Sequence, residues 1–173
     1  MNQVRYTKRA CKDREKIEAF LLLKRTGVIG LVDNGLPYAV PVNYVWHDGS
    51  VYFHGMGSGK KEDILAEHPP VCFTVYEEYG TVTDPVPCHA DTAYMSVMIF
   101  GRVEKVKDFK VAAAVLQKLL DKYAPEYYNS SLTDILIEKY RSSIDGNAVF
   151  VYRISPQVIT AKENAVEAGK LLI

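Results

Sequence analysis

The chain has 173 residues, 48% of them hydrophobic, and its 21 basic and 21 acidic side chains cancel. That length holds one domain, residues 1–173, with a sizeable core, and a net charge of zero gives no global field to draw in nucleic acid or an anionic membrane. No apolar run nears membrane-spanning length, the charged start MNQVRYTKRACKDREK lacks the apolar core of a signal peptide, and Cys11, Cys72 and Cys88 share no disulfide or metal-site spacing, so a reducing cytoplasm is the expected compartment.

Along the chain, Ile17, Phe20, Leu21 and Lys24 recur at helical spacing behind Asp13, a ready N-cap, so DREKIEAFLLLKR reads as an amphipathic helix. Asn34-Gly35 then separates two β-rich runs, and Asp48-Gly49 a second pair. Both dipeptides tolerate positive φ, which predicts three successive antiparallel strands between about residues 27 and 55. KKEDILAEH is a short helix closed by Pro69-Pro70. VCFTVYEEYG is a strand with Val71, Phe73 and Val75 on one face, and TVTDPVPCHAD reads as loop. TAYMSVMIFGRVEKV is a long strand whose Gly101 marks a bulge or a close backbone approach. DFKVAAAVLQKLLDKYAPE is a helix with Val111, Val115, Leu119 and Tyr123 as its stripe; SLTDILIEKYR is a shorter one with Ser131 and Asp134 spaced as a capping box. GNAVFVYRISP is the last strand. About six strands with hairpin links, and helices gathered in three places, give an α+β fold built on an antiparallel barrel.

The stretch VYFHGMGSGKKEDI, residues 51–64, carries the chemistry. It is not a nucleotide P-loop: that motif would need glycine at His54 and a hydroxyl at Lys61, and the glycines at 55, 57 and 59 do not fit the dinucleotide fingerprint. The turn still suits one phosphate monoester. Gly55, Gly57 and Gly59 let the backbone curl its amides inward, Ser58 offers a hydroxyl, Lys60 and Lys61 offer charge, and a helix starts there. A plain hairpin exit with solvated lysines reads the same residues equally well. Pro41, inside the strand AVPVNYV, cannot donate to a ladder, which fits an edge strand or a strand with backbone freed for a planar ligand. His54, where the third strand ends, is either a structural histidine or a proton donor beside the turn.

The run from Tyr38 to Lys61, YAVPVNYVWHDGSVYFHGMGSGKK, resembles the flavin-binding segment of the pyridoxamine phosphate oxidase-like split-barrel superfamily, and within it the nitroimidazole-resistance (Nim) reductases. The shared pattern is a Pro-Tyr-x-x-Pro-x-Asn strand, a turn, Tyr-x-His-Gly and a downstream lysine. Pro37, Tyr38, Pro41, Asn43, Tyr52, His54, Gly55 and Lys60 or Lys61 supply it, with further likeness at Cys72-Phe73, Cys88, Ser96, Gly101 and ISPQVITAK. The resemblance implies an FMN-binding split β-barrel, homodimeric, with the cofactor in a groove at the dimer interface. Lys60 and Lys61 with Ser58 would hold the phosphate. Pro41, Val42 and Asn43 would line the ring, Gly55 would border it, and Ser96 and Val97 would lie near it from one protomer or the other. His54 would face the substrate as proton donor or anchor. The implied reaction carries electrons from reduced FMN to a small acceptor such as a nitroaromatic, with no metal, the reductant being external or NAD(P)H. The C-terminal arginine motif of true pyridoxamine phosphate oxidases is missing, so vitamer activity is not implied. A non-catalytic flavin or heme binder of the same fold, with His54 as axial ligand, is the alternative; a cofactor-free interaction module is the third.

Of the remaining residues, Cys88-His89 read as loop, His47 and His68 as turn and helix-end residues, and Tyr123, Tyr127 and Tyr128 as core packing, with a pocket wall or dimer seam as the other option. Lys105, Lys107 and Lys110, mixed with Glu104 and Asp108, read as a solvated face.

Overall fold

A computed structural model describes residues 4–166 and 171–172. After a 3-10 turn at Thr7–Arg9 come β1 (Ala10–Cys11), α1 (Arg14–Leu23), β2 (Thr26–Asp33), β3 (Leu36–His47), β4 (Ser50–Met56), α2 (Lys60–Leu65), β5 (Pro70–Val82), β6 (Asp91–Lys105), α3 (Phe109–Tyr123), α4 (Asp134–Lys139), β7 (Val149–Asn164) and β8 (Leu171–Leu172). All pairings are antiparallel. The order β7-β4-β3-β2-β5-β6 closes on itself because β6 also pairs with β7, so six strands form a ring and the two-residue β1 and β8 are appended to it. This is the α+β arrangement expected of a split β-barrel.

Turn chemistry sets the ring's start. Asn34 and Gly35 have φ of 49° and 81°, Asp48 and Gly49 45° and 66°, which are the left-handed values that two-residue hairpins need. The strand alternation then sends Ile29, Leu31, Tyr44, Val51, Phe53, Phe73, Val75, Val97, Ile99 and Ile154 into one core inside the ring. A second, smaller core lies outside it, where α3 and α4 cover Val45, Tyr52 and Val151.

A short helix stoppers each end of the ring. Asp13 caps α1 by accepting from Lys16 N–H at 3.1 Å, and α1 sends Phe20 and Leu21 into the core, where the Tyr44 hydroxyl donates to Leu21 O at 2.8 Å. At the other end α2 buries Leu65 beside Ile64 and Phe150.

Several expectations need correction. The buried residues of α3 are Ala112, Ala113, Val115 and Leu119, with Tyr123 partly buried against them; Val111 is 42% exposed, because a 100° step per residue carries it off the buried face. The cap of α4 is Thr133, whose hydroxyl accepts from Leu136 N–H, and not Ser131. Residues 81–82 and 91 belong to β5 and β6, with a 3-10 turn at Pro87–His89, so the expected loop is shorter. The final long strand runs on past Pro156 to Asn164. Pro156 is tolerated because the β6–β7 register shifts at Gly101, where a Cβ would lie 2.1 Å from Ser155 O; the glycine gives both the bulge and the close approach. Tyr127 and Tyr128 are 75% and 56% exposed and form no core. Lys105 is half-buried over the Phe150 ring, and so is no solvated lysine.

Candidate functional site

The ring is split along one strand pair. β3 and β4 pair from His47↔Ser50 to Tyr44↔Phe53 and stop, although β3 stays paired with β2 as far as Leu36 and β4 with β7 as far as Met56. Had the register run on, Asn43 would face His54 and Pro41 would face Met56. The two strands part instead and leave facing backbone edges.

The parity of β3 decides what those edges offer. Tyr44 N–H donates to Arg25 O, on the β2 side, at 3.3 Å. Even-numbered residues of β3 therefore turn their polar backbone groups to β2, and Pro37, Ala39, Pro41 and Asn43 turn theirs to the split. Pro41 thus stands where β2 asks for no donor, and the β2–β3 ladder runs uninterrupted through Val28↔Pro41. The open side is the β4 side alone. Val42 contributes neither group to the split: its side chain is in the core and its backbone faces β2.

On the opposite edge, His54 is exposed and Gly55 faces inward and is buried. Gly55 lies close under Lys61: a Cβ there would sit 3.2 Å from Lys61 Nζ. The Lys61 ammonium also lies 5.8 Å from the centre of the Phe53 ring, and no salt bridge to it is found among the described residues. Loss of hydration lowers its pKa below that of an ordinary lysine, with Glu62 opposing the shift. Surrounding protein, then the Lys61 charge, lowers the pKa of His54 and so favours the neutral imidazole. Solvent still reaches His54, so it stands in an open recess and not in an enclosed core.

The other two anion-binding candidates are engaged. Lys60 Nζ is 2.8 Å from Asp33 Oδ2 and 4.9 Å from the centre of the Tyr38 ring, and the bond to Asp33 raises its pKa. The Ser58 hydroxyl donates to Asp145 Oδ2 at 2.8 Å. Of the cations expected at the turn, Lys61 alone is without a carboxylate on it.

Ser96 and Val97 are not brought to this split within one chain. They lie on β6, across the ring from β3, with Val97 fully enclosed in the core and Ser96 half-buried on the outer face. The structure also adds residues that sequence reasoning passed over. Glu62 sits on α2 beside Lys61 with Oε2 buried and unpartnered, Lys105 Nζ is 3.9 Å from its Oε1, and burial raises its pKa. Its place next to Lys61 on the inward side of a predicted helix was the available signal. Asp33 and Asp145 carried none. No three His, Cys, Asp or Glu residues gather as a metal site among the described residues, and no described helix is long and apolar enough to cross a membrane.

A closed antiparallel ring, split along one strand pair and stoppered by a helix bearing a half-buried ammonium, is an α+β arrangement of the split-barrel class. The model of the pyridoxamine 5'-phosphate oxidase family matches residues 13–163, and the chain belongs to that family. A comparison with curated protein sequences found no match. Among solved structures, a flavocytochrome from Azotobacter vinelandii is 26% identical with a TM-score of 0.76, over 94% of this chain and 72% of that one. An FAD and heme binding protein from Mycobacterium smegmatis is 20% identical with a TM-score of 0.74, over 91% and 74%. A candidate 5-nitroimidazole antibiotic resistance protein from Bacteroides thetaiotaomicron is 23% identical with a TM-score of 0.69, over 88% and 85%.

Proposed function

We propose that this protein is an FMN-dependent oxidoreductase of the nitroimidazole-reductase type, acting in the cytoplasm as a homodimer on a small nitroaromatic acceptor. The observation that carries the reading is the split itself: backbone groups of Pro41 and Asn43 face an open edge, and an ammonium with no carboxylate on it stands at the end of that edge. The residues present fit a flavin. Asn43 N–H can donate to the polar edge of a planar ring, and the carbonyls of Pro41 and Asn43 can accept from it. Lys61 supplies the charge for a phosphate, a role that Lys60 and Ser58 share only after giving up Asp33 and Asp145. The names of the structural neighbours, which include a flavocytochrome and an FAD and heme binding protein, support the same cofactor class.

When bound, the flavin supplies the electron transfer. The protein holds it, orients it and manages protons. Reduction of a nitro group consumes protons as well as electrons; His54, at the split, is placed to anchor the acceptor through its N–H, and it delivers a proton only from its protonated form, which its lowered pKa makes the minor one. The reductant is external or NAD(P)H. A second copy of the chain is favoured by an uncharged row on the outer face, Pro41–Val28–Thr74–Met98–Thr160, which crosses five strands with Val28 and Met98 about two-fifths exposed, and Ser96 lies on the same face.

Absorption of the purified protein tests the cofactor, with flavin bands expected at about 375 and 450 nm. Anaerobic reduction followed by a nitroimidazole should then restore the oxidised spectrum, and His54→Ala should slow that step by about a hundredfold. Unchanged reoxidation in the variant removes His54 from the mechanism. A Soret band in place of flavin bands would support the second reading, a heme binder; an exposed, neutral imidazole such as His54 is the form that ligates iron.

A further inference from the structure

The segment between α4 and β7 folds back onto the glycine-lysine turn. Ser142 N–H donates to Asn147 O and Gly146 N–H to Ser142 O, each at 2.8 Å, and Arg141 bridges Ala148, so residues 141–148 form a small closed loop. Two bonds pin the loop to the turn: Gly57 N–H to Ala148 O at 2.8 Å, and the Ser58 hydroxyl to Asp145 Oδ2 at 2.8 Å. The first is fixed by close packing, since a Cβ on Gly57 would meet Ala148 O at 2.6 Å. The second joins two exposed side chains and can open without moving the first.

Asp145 faces no cation. Its hydrogen bonds come from the Asn147 side chain at 2.8 Å, the Asn147 backbone N–H at 3.1 Å, Ser58 and the Ser142 side chain, and no salt bridge reaches it among the described residues. Hydrogen bonds from Asn147 and Ser58 hold its carboxyl down to about 2, so it is charged at any working pH. A carboxylate therefore occupies the one hydroxyl of a turn whose glycines and lysines suit a phosphate. A serine hydroxyl has one hydrogen to donate, so two anions cannot both have it.

We propose that Asp145 is a built-in competitor for the flavin phosphate and determines which flavin this turn prefers: it ties the tip of loop 141–148 to Ser58, and a phosphate monoester that takes Ser58 frees the tip while the Gly57–Ala148 bond holds the loop in place. The inference rests on the flavin reading above. Riboflavin, with the same ring and no phosphate, leaves the Ser58–Asp145 bond in place. FMN has to displace it against the repulsion of a neighbouring carboxylate.

The test compares FMN and riboflavin by fluorescence titration. Asp145→Asn keeps an amide able to bond Ser58 and removes the charge, and it should raise the ratio of FMN to riboflavin affinity by about tenfold, the scale of a unit charge a few ångströms from a phosphate at the surface. In the wild-type protein, hydrogen exchange at residues 141–148 should speed up with saturating FMN and stay unchanged with riboflavin, a measurement that decides the matter even if the variant fails to fold. An unchanged or lower affinity ratio, or equal exchange with both flavins, overturns the proposal. If neither flavin binds the wild-type protein, the flavin reading itself falls and the proposal with it; a failed competitor instead shows normal binding with an unmoved ratio.

Discussion

The two ends of the ring are closed in the same way and for different purposes. At the α1 end the stopper is apolar: Leu21 is fully buried, Phe20 nearly so, and the Tyr44 hydroxyl that reaches them is satisfied by Leu21 O. At the α2 end the stopper brings Lys61 and Glu62 inward, one ammonium without a carboxylate on it and one buried carboxylate oxygen without a donor. A buried polar atom without a partner costs stability wherever it sits. The α1 end minimises that cost and the α2 end accepts it, a difference that fits the binding role proposed for the second.

The contrast can be broken from either side. Leu21→Ala should destabilise the fold by about 2–5 kcal/mol, the usual range for an emptied leucine site, and a urea melt measures it. Flavin affinity in the folded variant should stay within about twofold of wild type; a larger loss would mean that the α1 end also shapes the site. Lys61→Met should do the reverse. Removing one charge-assisted contact costs about 1.5–3 kcal/mol, so FMN should weaken by more than about tenfold while riboflavin holds and stability stays level or improves. Lys60→Met, whose charge is already matched by Asp33, should weaken FMN less than Lys61→Met does; the opposite ranking would move the phosphate to the other lysine.

The smallest effect belongs to Lys122, on α3 beside the start of β2. It donates to Lys24 O and to Tyr44 O, and burial, then Arg25, lowers its pKa to about 8. An unfolded lysine keeps its proton up to about pH 10.4, so between those values the unfolded chain binds one more proton than the folded one and stability rises with pH. Lys122→Met should flatten that rise in melts taken between pH 8 and 10. Tyr44, whose pKa burial raises, opposes the trend only above pH 10. Because Lys122 is only half-buried, solvent screening keeps the whole change modest.

Local chemistry made much of the fold readable. Asn34-Gly35 and Asp48-Gly49 gave both hairpins because only a few residue types accept positive φ, and Gly101 announced its bulge for a different reason, the close approach of Ser155 O that leaves no room for a Cβ. What misled was equally local. Ser131 offered a plausible cap two residues before Thr133, and Pro156 argued for a strand end that the shift at Gly101 makes unnecessary. At the candidate site, the resemblance pointed to the strand around Pro41 and Asn43 and to the lysines. It did not say that Lys60 and Ser58 are held by the chain's own carboxylates. Asp145 lies 87 residues from Ser58, and no spacing rule connects two positions that meet only after six strands have closed a ring.

The prolines of β3 have one more effect. A strand edge left open is a template on which a stranger's strand can assemble, the usual first step toward fibrils and tangled oligomers. Here the free edge between residues 37 and 43 has Pro37 and Pro41 at two of its four outward backbone positions, leaving only Ala39 and Asn43 with a hydrogen to offer. An intruding strand would find every other donor absent, whereas a short flat molecule needs no more than one or two. The same pair of imino acids that would leave the proposed groove open to a small guest works against its capture by another polypeptide.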